Sequence, residues 1–596
     1  MAKTREARRS AIGDWYARRP RWVHGTIGVL TVALGAVILV RPTTSLGVLA
    51  LLIGAGLVVN GILELVTRDG AARAWWRWAL SALWILAGLF VLAWPGLTVR
   101  VLVLVVGIGL MVGGAGRIVE AFRVRQSLDA RIAAGVLGAA EVVFGVLAVL
   151  WPDITGLVVA VVFGARLVIV GLLELWHAIR PPRLDAEPAA PSGLSRWTRT
   201  IAAVAALVVA VGAGAVSVSL RGGSPVVDEF YAAPRTVPSE PGALIRSEPF
   251  TRGVPEDAEA WRILYTTTNG DGTPAVASGL VVVPKSGDGA WPVIEWSHGT
   301  TGFAQQCAPS LLAEPFESGA LFLLPQIVDR GWALVATDYI GLGTAGPHPY
   351  LVGEPSARAS LDAVRAAREL ESADLGPQTV AWGHSQGGGA ALWVGAVGAD
   401  YAPDVPLSGV AALAPASQLP AFVGSLDEIT GGSVFASYVI AGYSGVYPDV
   451  TYRQYVRPGA EVTVRELATR CLAEPAMGAS LLTLLGMTAD PDIFAADPTT
   501  GPMGERMREN VPPATGDAPL LLGQGLADPL IVPSAQDAYV DGLCADGRQV
   551  DYRLYAGRGH VELVQPDSPL IPELLQWTED RFADVPAEAG CTRREE

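Results

Sequence analysis

Residues 383–387 read Gly-His-Ser-Gln-Gly, between an apolar run of strand character, Gln378-Thr-Val-Ala-Trp382, and a small-residue helical stretch over 387–396. A tight turn between strand and helix pushes a serine hydroxyl clear of its sheet, so Ser385 is a candidate nucleophile for acyl transfer. The chain holds 68 glycines, so the five-residue pattern alone is weak and the flanking strand and helix carry the assignment. A hydroxyl needs a base to take its proton, and the base needs a third group to fix its tautomer and stabilise the imidazolium. On such a turn the three follow in the order serine, acid, histidine. His560, in Tyr555-Ala-Gly-Arg-Gly-His560, is the one histidine after Ser385 and is the base by elimination. Asp528, in Gln524-Gly-Leu-Ala-Asp-Pro-Leu-Ile-Val-Pro533, is favoured as the acid over its rivals Asp537 and Asp551 because it closely follows a predicted strand.

A developing oxyanion needs N–H donors fixed in advance, one from the residue after the nucleophile and one from an earlier loop. Gln386 supplies the first, and Thr300 in His298-Gly-Thr-Thr-Gly302 is the preferred second. His298 and His384 precede the serine and are read as packing residues beside the site, while His348 has no evident role. This chemistry calls for no metal and no organic cofactor.

The elements that must position these residues are legible as runs. Strands are predicted over 261–267, 275–283, 292–297, 333–338, 379–383, 409–413, 520–523 and 550–555, with helices over 356–371, 386–398 and 571–582. Strands alternating with helices argue for a mainly parallel sheet. Between Ser417 and about Pro513 a long insertion separates two predicted strands, and we read it as a helical cap over about 417–513. Its Phe422, Phe435, Tyr438, Tyr443, Leu481, Leu482, Leu484 and Leu485 either line an acyl tunnel under a lid or pack the cap onto the body.

With 596 residues and a mean hydropathy of +0.37, the chain is too long for one domain and too apolar to be wholly soluble. Residues 1–225 hold 22 Lys+Arg against 11 Asp+Glu, and the remainder 21 against 47. The two parts therefore face different surroundings. All four cysteines lie in the acidic part, an even number that suits an oxidising compartment. The basic residues are scattered around apolar spans and form no single basic face, which argues against nucleic acid as a partner.

Seven apolar stretches of bilayer-spanning length are predicted near 23–40, 45–66, 78–94, 98–119, 132–150, 155–176 and 200–220. The first six are read as three copies of one hairpin. Pro42, Pro95 and Pro152 are each followed 12 residues later by Gly54, Gly107 or Gly164, and 19 later by Gly61, Gly114 or Gly171. Glycines seven apart share a helix face and suit close helix packing. Arginines in the N-terminal tail and at 68–77, 123–131 and 180–199 predict cytoplasmic loops, with Trp94 and Trp151 as outer interfacial anchors. Everything after Leu220 is then extracytoplasmic. Glu141 and Arg166 are expected to pair within the membrane, and Glu64, Glu174 and His177 to reach the interface.

The membrane part resembles the HdeD-like family of short-repeat membrane proteins through this proline and glycine repeat. That family is linked to acid-stress resistance and brings no catalytic motif; Arg117 stands where the other copies have Glu64 and Glu174. Residues 240–585 resemble the secretory lipase family of fungi and actinobacteria. The resemblance rests on Pro241-Gly-Ala-Leu-Ile-Arg-Ser247, Val281-Val-Val-Pro284, the glycine loop 298–302, Asp338-Tyr-Ile-Gly-Leu-Gly343, the Ser385 turn, Asp528 and His560. It implies an α/β-hydrolase that cleaves carboxylic esters of lipids, with disulfides joining Cys307 to Cys471 and Cys544 to Cys591. Some members carry a carboxylate in the first oxyanion loop, where this chain has Thr300 and Thr301.

The expected organisation is a basic cytoplasmic tail (1–22), a six-helix membrane domain (23–181), a cytoplasmic linker (182–198), a seventh transmembrane helix (199–221), a tether (222–241) and the hydrolase domain (242–590). The expected function is that of a membrane-anchored bacterial serine lipase or carboxylesterase facing the cell exterior. Two other readings stay open: an acyltransferase acting on envelope lipids or glycans, and a non-catalytic binding or stress-tolerance protein.

Overall fold

Prolines and glycines punctuate the N-terminal helices. In the computed structural model, which describes residues 20–66, 75–123, 128–179, 193–223, 225–487 and 492–596, this part forms α1 (Arg21–Val40), α2 (Pro42–Val66), α3 (Trp75–Ala93), α4 (Pro95–Arg123), α5 (Leu128–Leu150), α6 (Pro152–Ile179) and α7 (Gly193–Arg221). Pro42, Pro95 and Pro152 each open a helix, where a missing N–H costs nothing. Among the described residues six helices are long and apolar enough to cross a bilayer, and α3 carries a shorter apolar stretch, Ser81–Ala93, so length and composition give six where seven spans were expected. The arginine-rich tail, and most of the loop arginines used to orient the chain, lie outside the described residues.

The repeated glycines make the helix interfaces. Gly54 and Gly61 on α2 face Gly88 and Ser81 on α3; Gly107 and Gly114 on α4 face Gly145 and Gly138 on α5; Gly164 and Gly171 on α6 face Gly35 and Gly28 on α1. A Cβ on Gly114 would sit 2.5 Å from the Gly138 carbonyl, and one on Gly88 2.7 Å from that of Gly54. Only small residues allow this approach. The close pairs are therefore α2 with α3, α4 with α5, and α6 with α1, not the hairpins joined at the prolines.

This pairing corrects the expected Glu141–Arg166 contact. Arg117 lies three residues after Gly114 and Glu141 three after Gly138, so the abutting glycines bring them together, with Arg117 Nη1 3.1 Å from Glu141 Oε1. Arg166 is exposed. Glu174 meets His24 across the α1–α6 pair at 3.0 Å, while the side chains of Glu64 and His177 lie outside the described residues. Trp94 is half exposed as an interfacial residue would be, but Trp151 is buried and donates its indole N–H to Ser217 of α7 at 2.8 Å.

The C-terminal part forms one ten-stranded sheet: β1 (Leu244–Phe250), β2 (Ala258–Thr268), β3 (Pro274–Pro284), β4 (Trp291–Ser297), β5 (Ala333–Ile340), β6 (Leu375–His384), β7 (Leu407–Leu413), β8 (Leu520–Gly525), β9 (Val550–Tyr555) and β10 (Cys591–Glu595). Their order is β1-β2-β3-β5-β4-β6-β7-β8-β9-β10. The run β5-β4-β6-β7-β8-β9-β10 is parallel and β1, β2 and β3 are antiparallel. Central strands such as β5 are buried throughout, because helices cover both faces. Helices α8 (Gly353–Arg368) and α9 (Gln386–Tyr401) pack on one face, the helices 324–329 and 570–582 on the other.

All eight expected strands form, and β1 and β10 are additional. The stretch read as a tether is packed in part, since Phe230 and Tyr231 are buried and the Arg262 guanidinium lies 4.2 Å from the Phe230 ring centroid. Among the described residues six helices lie between β7 and β8, from Leu419–Gly424 to Gly501–Glu509. Of the apolar cap set, Phe422, Tyr438 and Tyr443 are buried, Phe435 and Leu484 half-buried, and Leu481, Leu482 and Leu485 exposed.

Candidate active site

Strand β6 runs out at His384, and Ser385 turns the chain into α9 with φ 59° and ψ −118°, a backbone conformation that L-residues rarely adopt. The glycines two positions either side make the turn possible. A Cβ on Gly387 would overlap the Ser297 carbonyl, and one on Gly383 the Gly387 carbonyl. The turn thus packs against the end of β4, whose Ser297 is in register with Gly383.

His560 lies in the loop after β9 and Asp528 in the loop after β8, so the parallel order of the strands brings residues 175 and 32 positions apart to the C-terminal ends of the strands. His560 Nε2 is 2.8 Å from Ser385 Oγ, and His560 Nδ1 is 2.7 Å from Asp528 Oδ2. The other Asp528 oxygen accepts the backbone N–H of Leu530 at 2.8 Å and of Ile531 at 2.9 Å. Those bonds aim Oδ2 at the imidazole. The rivals are engaged elsewhere: Asp537 accepts from Tyr552 and Asp551 from Arg553.

Gln386 is the first residue of α9, so its N–H has no intrahelical partner. Among the described residues neither it nor the Thr300 N–H has any protein acceptor. The 298–302 loop leans on the elbow, as a Cβ on Gly299 would lie 3.2 Å from His384 Nδ1 and 3.4 Å from the His384 carbonyl. Serine, imidazole, carboxylate and two open N–H groups can together carry out acyl transfer through a tetrahedral intermediate.

The flanking histidines are buried and held neutral. Burial pushes His298 down to about 4 and His384 to about 3, the latter helped by neighbouring His560. His384 Nε2–H donates to the His560 carbonyl at 2.9 Å, which steadies the loop carrying the imidazole. Sequence reasoning missed the role of His348. Its ring is wholly buried, and Gln386 Nε2 lies 2.9 Å from its Nε2. It missed Glu295 too, a buried carboxyl whose Oε1 accepts from Ser297 Oγ at 3.0 Å and which desolvation raises to about 8. No local pattern marks either residue, because His348 meets Gln386, and Glu295 becomes buried, only through the tertiary fold.

Two disulfides, Cys307–Cys471 and Cys544–Cys591, close segments of 164 and 47 residues. They are the pairs the resemblance implied.

A parallel sheet with a serine elbow at a strand end, and its acid and histidine on two later strand ends, defines an α/β-hydrolase. Residues 317–590 match the secretory lipase family. Residues 26–93, 79–147 and 136–216 match a short repeat of unknown function, so a repeat membrane region and a lipase-family domain share one chain. A probable inactive lipase of Mycobacterium tuberculosis is 27% identical over 61% of this chain and 83% of its own length. A secreted triacylglycerol lipase of Malassezia globosa is 23% identical over 62% and 81%. The closed-state structure of Candida antarctica lipase A superposes with a TM-score of 0.50 at 19% identity, covering 62% of this chain and 89% of that one.

Proposed function

We propose that this chain is a membrane-anchored serine carboxylic ester hydrolase that cleaves lipid esters on the extracytoplasmic side through an acyl-enzyme. One observation carries the reading: Ser385 Oγ, the His560 imidazole and Asp528 form an unbroken hydrogen-bonded line with contacts of 2.8 and 2.7 Å. Ser385 Oγ attacks the ester carbonyl while its proton passes to His560 Nε2. The positive charge on the imidazolium is balanced by Asp528 through Nδ1–H. The oxyanion is received by the N–H groups of Gln386 and Thr300, and His560 then returns its proton to the departing alcohol. Water repeats the sequence on the acyl-serine and frees the acid.

Lipid esters are favoured by the family, by the relative named as a triacylglycerol lipase, and by the apolar surroundings of the acid loop. Phe422, Leu530, Ile531 and Val532 line a cavity there, and Leu526 and Val561 are exposed close to Asp528 and His560 in sequence. Two disulfides in the hydrolase domain and arginines in alternate loops of the membrane part favour an exterior placement.

The test is hydrolysis of p-nitrophenyl esters from acetyl to palmitoyl by the detergent-purified full chain, beside Ser385→Ala. Turnover that vanishes in the variant is expected, and the preferred acyl length separates lipase from esterase. Product formation that requires an added alcohol acceptor would indicate acyl transfer instead. Absence of turnover from folded protein would favour a binding role, of interest because one relative is named a probable inactive lipase. Protection of the C-terminal domain from external protease in intact cells would overturn the exterior placement.

A further inference from the structure

The loop after β5 folds back under the site. Gly341 and Gly343 take φ of 79° and 71°, and a Cβ on Gly341 would meet the His348 backbone nitrogen at 2.5 Å. His348 is thereby seated beneath the elbow, its ring 5.8 Å from that of Tyr339. Its Nδ1 lies 3.0 Å from the Ile340 carbonyl, which only accepts, so Nδ1 carries the hydrogen. Nε2 is then a bare acceptor, and the Gln386 side-chain amide donates to it at 2.9 Å. Two residues on, the buried Tyr350 hydroxyl lies 2.9 Å from Thr300 Oγ1. One short segment therefore grips the side chains of both residues whose backbone N–H groups stand open at the site.

We propose that His348 and Tyr350 are positioning residues that hold the two oxyanion donors, Gln386 and Thr300, in place. This deepens the hydrolase reading and rests on it. The side-chain bonds leave both backbone N–H groups unused and restrict rotation of the peptides that carry them. A donor serves the transition state only where it is already aimed at the position the oxyanion will take. Burial lowers the His348 pKa to about 3, so the ring stays a neutral acceptor at neutral pH. Tyr350 also packs edge-on against Tyr438 at 5.8 Å, and a Cβ on Gly442 would lie 3.1 Å from the Tyr350 backbone nitrogen, so the cap helix 432–446 backs the same segment.

The experiment uses the full-length protein and removes single atoms. Tyr350→Phe and Thr300→Val each delete one hydroxyl of the pair, and Thr300→Ser keeps it. The two deletions are expected to lower kcat about 10-fold, less than the roughly 10²- to 10³-fold that loss of an oxyanion donor itself costs, with KM changed less than twofold. Thr300→Ser, which restores the hydroxyl, should recover most of the kcat that Thr300→Val loses, and the double variant Thr300→Val/Tyr350→Phe should be no slower than either single. Affinity for an acyl trifluoromethyl ketone, which forms the tetrahedral adduct, should fall in step with kcat. A merely structural role would instead change thermal stability and KM. Wild-type kcat in both deletion variants, or a drop in Thr300→Ser equal to that in Thr300→Val, would overturn the brace while leaving the hydrolase reading intact. If the wild type itself shows no Ser385-dependent turnover, the reading falls and the inference with it.

Discussion

At the scale of single residues, the site is a question of which lone pairs are aimed where. Asp528 has one oxygen committed to two backbone N–H groups and the other to His560, so replacing it by Asn keeps the shape but presents an amide where the imidazole needs an acceptor. Asp528→Asn should lower kcat by about 10³- to 10⁴-fold with little change in KM, the cost of the wrong histidine tautomer. Asp537→Asn, which disturbs only contacts to Tyr552 and Arg593, should leave kcat within about twofold of wild type, in the range of surface substitutions away from special features. Parallel steady-state kinetics on the two variants checks both. His384 illustrates a residue whose role lies between chemistry and packing: a neutral donor to the carbonyl of the very histidine whose ring lies tilted against its own at 4.8 Å.

Elements impose the constraint that single residues exploit. Gly387→Ala would drive a Cβ into the Ser297 carbonyl and force the elbow away from β4. The expected result is a fall of about 3 kcal/mol or more in stability, read from denaturant unfolding, with loss of turnover. The membrane helices offer a sharper comparison. Gly35, Gly88 and Gly145 each touch an opposing backbone carbonyl, whereas Gly56, Gly109 and Gly113 have nothing within 4 Å of a built Cβ. Leucine at any of the first three should cut the yield of monodisperse protein in detergent, and alanine at the second three should not. Size-exclusion profiles of the six variants settle the matter, and equal behaviour of both sets would mean the glycine faces are not the interfaces.

For the whole molecule, buried titratable groups set opposing pH limits. Neutral His298, His348 and His384 have folded pKa values of about 4, 3 and 3, below the ordinary 6.5, because burial disfavours the charged ring. Their contribution to stability is full above about 6.5 and is lost as pH falls toward those values. Glu295 works the other way. Desolvation raises it from 4.5 to about 8, so its contribution is full below about 4.5 and declines as pH rises toward 8. The melting temperature of the full chain should therefore fall on both sides of a slightly acidic to neutral optimum. Glu295→Gln should raise it at pH 8 relative to wild type while changing it little at pH 5; an unchanged alkaline limb in that variant would refute the assignment.

What local chemistry and periodicity can encode was legible in the sequence: the elbow, its flanking strand and helix, the order serine–acid–histidine, eight strands and the proline–glycine repeat. The two strands it left out explain the limit. β10, Cys-Thr-Arg-Arg-Glu, is almost wholly exposed and lacks any apolar alternation, so its pairing with β9 follows from the ladder and from the disulfide of its own Cys591 to Cys544 rather than from pattern. β1 has little buried surface of its own beyond Phe250 and forms because β2 offers it an edge. The membrane part repeats the lesson, since the glycine offsets were plain in the chain while the helix across which each glycine packs was not. Glu141 accordingly meets Arg117 instead of Arg166. Which acid faces His560, and that His348 holds Gln386, also depended on tertiary structure: these partners lie 32 and 38 residues apart in sequence, and only closure of the sheet and its loops brings them within hydrogen-bond distance.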